Sequence, residues 1–126
     1  MKQTDIMFFF DTEDYTDLRS VDAAKKIAEL FTEEGVTAHF SVAGLVAKQM
    51  MDNGCTDAIE AIKKHEVGNH TLGHSMHPNI SQISDIEDHD AAYAAVAEME
   101  SVSLALLDEA YGKKIGFGVP PGNAVS

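Results

Sequence analysis

Residues 5–17 read DIMFFFDTEDYTD, five consecutive apolar side chains, Ile6 to Phe10, running straight into a cluster of acids. An apolar run of that length without polar alternation fits a β-strand buried on both faces, the kind that parallel sheets contain. Working outward from it, SVDAAKKIAELFTEEG (20–35) places Ala24, Ile27, Ala28 and Phe31 on one helical face, with Ser20 set to cap the start and Gly35 to end it. VTAHFSV (36–42) is a second β-rich run. AGLVAKQMMDNG (43–54) and TDAIEAIKKH (56–65) read as short helices, the first ended by Gly54 and the second capped by Thr56. EVGNH (66–70) is a brief third strand. Ser84 and Glu87 have the spacing of a capping box and open a long helix to Ala110, with Tyr93, Val96, Met99, Leu104 and Leu107 as its buried stripe. KKIGFGVPPG (113–122) gives a fourth strand and a turn, because paired prolines cannot continue a ladder.

Strands alternating with helices imply parallel pairing and an α/β fold. In such folds chemistry gathers at the C-terminal ends of the strands. Asp11, Glu13 and Asp14 follow the first strand, Asn69, His70 and His74 the third, and Pro120, Pro121, Gly122 and Asn123 the fourth, so all three groups are expected on one face of the sheet.

Composition narrows the function. The 126 residues suffice for one domain with a real core, and 44% hydrophobic with 24% charged residues is an ordinary globular balance. A formal charge of −12 argues against nucleic acid and anionic membranes, whose phosphates need clustered Lys and Arg. No apolar run approaches the ~18 residues of a membrane span. Cys55, the lone cysteine, has no internal partner, and with the short N-terminal apolar run this leads to the expectation of a reducing, cytoplasmic setting.

Half of the six histidines fall within VGNHTLGHSMHPNIS (67–81). His70 and His74, four residues apart, share a face if the segment makes a helical turn. Two neutral imidazoles and a carboxylate form a common ligand set for zinc or a related divalent ion, leaving a position for water. An HxxxH pair and an acidic triplet are each weak signals, since most such groups are solvated surface or helix caps. His39 reads as a core or rim residue, His65 and His89 as exposed helix residues, and His77 as a group that orders its loop. The Met50–Met51 pair reads as core filler.

FFFDTEDY, HFSVAG, EVGNHTLGH and GFGVPPG together resemble the polysaccharide deacetylase (NodB-homology) family, carbohydrate esterase family 4, over essentially the whole chain. His70, Thr71, Leu72, Gly73 and His74 match its His-Ser/Thr-x-x-His motif, and FDTED is similar to a variant of its first, acidic motif. The resemblance implies the first part of a distorted (β/α) barrel and metal-dependent hydrolysis of an N-acetyl or other amide-linked acyl group on a carbohydrate or small amide. It assigns Asp11 as general base and His70 and His74 as metal ligands. Asp14 is the expected third ligand, with Glu13 competing because the acid spacing differs from the commonest motif. Thr71 would order the loop, and Pro121 and Gly122 would line one side of the substrate groove. The implied cofactor is one divalent ion, zinc, with cobalt, manganese or nickel as substitutes.

Two departures stand out. Val119 occupies the place where the third motif often begins with a base-orienting Arg. The family's later motifs, including a distal His that serves as general acid, have no counterpart. Residues 1–126 are therefore expected to form a single domain, incomplete at its C-terminal side, with open sheet edges covered by further residues or another copy of the chain. A non-catalytic metal- or ligand-binding relative is the alternative expectation.

Overall fold

The computed structural model describes residues 3–123. The chain forms β1 (Phe9–Thr12), α1 (Leu18–Glu33), β2 (His39–Val42), α2 (Gly44–Asp52), α3 (Thr56–Lys63), β3 (Glu66–Asn69), α4 (Ile80–Ser84), α5 (His89–Tyr111) and a 3-10 turn at Pro121–Asn123. The three strands pair in parallel in the order β1-β2-β3, with Asp11 opposite Ser41 and Ser41 opposite Gly68. The architecture is α/β, a partial parallel sheet alternating with helices.

The strand buried on both faces is β2: Phe40, Ser41 and Val42 are fully inaccessible. The apolar run that opens the chain is instead an edge strand, and only its last two residues, Phe9 and Phe10, are in β1. Ile6 is 73% exposed and Met7 65%. The reason lies in topology, because β2 takes the central position and, among the described residues, leaves one edge of β1 unpaired. Phe8 and Phe10 pack edge-on against Phe31 of α1, while Phe9 stacks on His39 across the opposite face.

Helix α1 buries Val21, Ala24 and Ala28, with Ile27 and Phe31 packed partly against the same core, as the periodicity predicts. Its cap is Asp17, whose carboxylate accepts from the Arg19 N–H at 2.9 Å. Ser20 lies inside the first turn and donates to the Asp17 carbonyl at 2.6 Å. Gly35 follows the helix at φ 67°, a left-handed conformation that costs glycine little. Helix α3 begins after Cys55 without a side-chain cap, so Thr56 does not serve as one.

The capping box belongs to α4: Asn79 accepts from the Gln82 N–H, and the Gln82 side chain accepts from the Asn79 N–H. Ser84 and Glu87 do not form one. Asp88 caps α5 by accepting from the Ala91 N–H at 2.8 Å. The buried face of α5 is Ala92, Ser103, Leu107 and Tyr111, whereas Tyr93 (71%) and Leu104 (42%) are exposed. Of the expected stripe, Leu107 alone is fully buried. Ser103, Leu107 and Tyr111 follow one another at i, i+4, so the helix faces the core along that row.

The fourth strand is reduced to one bridge between Asn69 and Gly118. Asn69 N–H donates to Phe117 O and Val119 N–H to Asn69 O, both at 2.9 Å. Pro120 has no N–H with which to extend the ladder. The segment still covers the sheet: a Cβ on Gly68 would lie 2.2 Å from the Phe117 ring, so glycine is what allows that ring to lie against β3.

His65 is buried, 3% exposed, contrary to its reading as a surface helix residue. Its Nδ1 accepts from the Ala38 N–H at 3.2 Å, and its Nε2 lies 2.8 Å from the Ala28 carbonyl, tying α1 to the entrance of β2. His89 is exposed as expected. His77 contacts the Gln82 side chain at 2.6 Å, ordering the loop before α4. No helix among the described residues is long and apolar enough to cross a membrane.

Candidate metal centre

Loops at the carboxyl ends of β1 and β3 bring Glu13, His70 and His74 together. One ligand atom from each lies within 4.8 Å of the others. Glu13 Oε2 is 3.1 Å from His70 Nε2 and 2.9 Å from His74 Nε2. His70 is 1% exposed, while Glu13 and His74 are half-buried, so the group is open on one side.

The protonation geometry of His70 is informative. Its Nδ1 lies 2.8 Å from the Val119 carbonyl, which can only accept, so Nδ1 carries the hydrogen. In the neutral ring Nε2 is then a bare lone pair, and it faces a carboxylate oxygen at 3.1 Å. Two acceptors at that distance call for a cation between them, a proton or a metal ion. A tetrahedral ion with ligands ~2 Å away sets its ligand atoms a little over ~3 Å apart, so the donor set and its spacing fit a zinc-like ion. The Val119 carbonyl fixes the ring's tautomer and orientation, the usual service of a group behind a metal-bound histidine.

The other residues expected at the site fall around this group. Asp14 turns back on its own loop, where its Oδ1 accepts from the Thr16 N–H at 2.8 Å and the Thr16 hydroxyl at 2.6 Å. Those two bonds hold its carboxyl below the usual carboxylate range. Glu13, not Asp14, is thus the acid that the fold sets beside the histidines. Asp11 is exposed within β1, on the sheet face shared with Ser41 and Gly68. Thr71 is buried, and its carbonyl accepts from the Gly44 N–H at 3.0 Å. Pro121 and Gly122 line a recess of about 190 Å³ shared with His74, Ser75 and Asn79.

Behind the histidines lies a polar chain of which only Asn69 falls within a motif of the sequence. Asn69 donates its amide N–H to Glu100 Oε2, and its Oδ1 lies 2.7 Å from the donating Ser103 hydroxyl. The other oxygen of Glu100 is buried with no partner among the described residues, and burial pushes the carboxyl above its ordinary value. Glu100 and Ser103 sit three apart on α5, one helical step, and as polar side chains they interrupt the row that Val96, Met99 and Leu107 form on that helix.

No protein-family model matches the chain, and no curated protein matches it. A solved structure does: a mutant of a CE4-family pseudoenzyme with restored enzymatic activity, superposing with a TM-score of 0.65 at 18% identity. The match covers 95% of this chain and 37% of that one. The likeness is one of fold, and it agrees with the polysaccharide deacetylase resemblance of the motifs. The chain has the fold of a portion of that domain and spans a little over a third of the relative's length.

Proposed function

We propose that the chain carries the metal-binding part of a metal-dependent hydrolase that removes an N-acetyl or other amide-linked acyl group from a carbohydrate or small amide. The observation that supports this most is the convergence of Glu13, His70 and His74, with a bare imidazole nitrogen aimed at a carboxylate oxygen. A divalent ion, zinc first and cobalt, manganese or nickel as substitutes, would supply Lewis acidity to a scissile carbonyl and lower the pKa of water. Glu13 would contribute negative charge and one oxygen, and the two imidazoles one nitrogen each. Asp11, two residues before Glu13 and exposed to an approaching substrate, is the proposed general base. Pro121 and Gly122 would wall the substrate side of the recess beside His74.

A second reading has two observations in its favour. The structural neighbour is a mutant that restores activity to a CE4-family pseudoenzyme, and Val119 stands here where the base-orienting Arg is expected. A non-catalytic metal-binding relative would retain the ion and lack turnover.

Zinc titration of the wild type and of His70→Ala, His74→Ala, Glu13→Gln and Asp14→Asn tests the metal site. Each histidine variant should lose affinity by ~10-fold or more, since three protein ligands leave none to spare. Glu13→Gln should weaken binding and Asp14→Asn should not. Unchanged affinity in both histidine variants would remove the site, and the reverse order of the two acids would return the ligand role to Asp14. Release of acetate from N-acetylated sugars with metal supplied separates the hydrolase from the non-catalytic relative, and Asp11→Asn should abolish any turnover while sparing metal content.

A further inference from the structure

The turn bearing the two histidines is supported only in part by its own bonds, such as Met76 N–H to Gly73 O at 2.8 Å. Thr71 has φ 62° and His74 φ 48°, left-handed values that residues with a Cβ seldom adopt. Two of its carbonyls, those of Thr71 and Leu72, are held from outside. Gly44 N–H donates to Thr71 O at 3.0 Å and Leu45 N–H to Leu72 O at 2.8 Å. These are first-turn amides of α2, whose N-cap residue, Ala43, has no polar side chain to satisfy them.

From the opposite side comes Ser103, fully buried on α5. Its hydroxyl lies 2.7 Å from Asn69 Oδ1 and 3.0 Å from Thr71 O. One side chain therefore touches the residue before His70 and the residue after it. The approach is close because Gly44 has no Cβ: one would lie 2.7 Å from Ser103 Oγ. Alanine at 103 would favour the helix more, so the buried hydroxyl is accounted for by what it directs and not by helix formation.

We propose that Ser103 is a positioning residue for His70 and His74, holding the Asn69 side chain before His70 and the Thr71 carbonyl after it so that the imidazoles meet Glu13. The proposal rests on the metal-binding reading of that group. Ser103 itself touches none of the three ligands' side chains. It acts through Asn69 and the Thr71 carbonyl.

The test uses the whole chain with Ser103→Ala, and Leu107→Val as a control from the same helix face. Two quantities are read: zinc affinity by competition with a chromophoric chelator, and amide hydrogen exchange at Gly44 and Leu45 in metal-free protein. Ser103→Ala should lose zinc affinity by ~10-fold or more, the usual effect of removing a group behind the ligands. Exchange at Gly44 and Leu45 should quicken relative to amides in α3. Leu107→Val should lower overall stability and leave zinc affinity unchanged, which a merely structural role for Ser103 would also do. Wild-type zinc affinity in folded Ser103→Ala overturns the proposal. If the wild type binds no zinc, the metal reading fails and exchange alone decides: faster exchange at Gly44 and Leu45 retains Ser103 as the positioner of the turn, and unchanged exchange overturns it.

Discussion

Gly44→Ala measures how closely α2 and α5 must approach to hold the histidine turn. The new Cβ would sit 2.7 Å from Ser103 Oγ, 2.9 Å from Ser103 Cα and 3.2 Å from Leu72 Cδ1. Leu72 can shift its methyl and Ser103 can rotate its hydroxyl, but Ser103 Cα belongs to a helix backbone. The helices would have to part by several tenths of an ångström, and overpacking of this kind costs ~1–3 kcal/mol. Against it stands the preference of a helix for alanine over glycine, at most ~1 kcal/mol in an interior and less at the first position. The net expectation is a loss of ~1–2 kcal/mol in urea unfolding followed by circular dichroism, with an unchanged m-value. Adding Ser103→Ala removes the hydroxyl from the new methyl's path but leaves the α5 backbone in it, so the double variant should recover less than half of the loss. A Gly44→Ala chain as stable as the wild type would refute the reasoning, since the two helices would then have slack that the geometry denies.

Glu100→Gln should stabilise the chain at neutral pH. Burial raises the Glu100 carboxyl above its ordinary 4.5, so the unfolded chain ionises first as pH rises. Its contribution to stability is therefore full below that value and is lost as pH climbs through the folded one, and the advantage of glutamine should shrink as pH falls toward 4.5. Unfolding curves at the two pH values check this, and an advantage that grew in acid would contradict it. The free edge of β1, with Ile6 and Met7 exposed, should bind a hydrophobic dye and promote self-association. Ile6→Lys with Met7→Lys should reduce both, as read by dye fluorescence and sedimentation, and no change would place the sticky surface elsewhere.

Much of this protein was settled locally. The helical periods around Ala24, Ile27, Ala28 and Phe31, the stops at Gly35 and Gly54, and the short runs that became β2 and β3 each depend on neighbours a few residues away, so the sequence by itself determined an alternating α/β chain. His70 and His74 were also legible, because both lie on one short segment with recognisable spacing. Tertiary structure alone decided which apolar run lies in the middle of the sheet: Phe8–Phe10 and Phe40–Val42 are equally strand-like, and only the order β1-β2-β3 leaves the former on an edge. It likewise decided that Glu13 meets the histidines while Asp14 folds back onto Thr16, a difference of one residue in a loop whose course no periodicity encodes. Ser103 was invisible for the same reason. Its worth lies in its bonds to Asn69 and Thr71, more than thirty residues away along the chain, and distant pairs are brought together by packing, not by pattern.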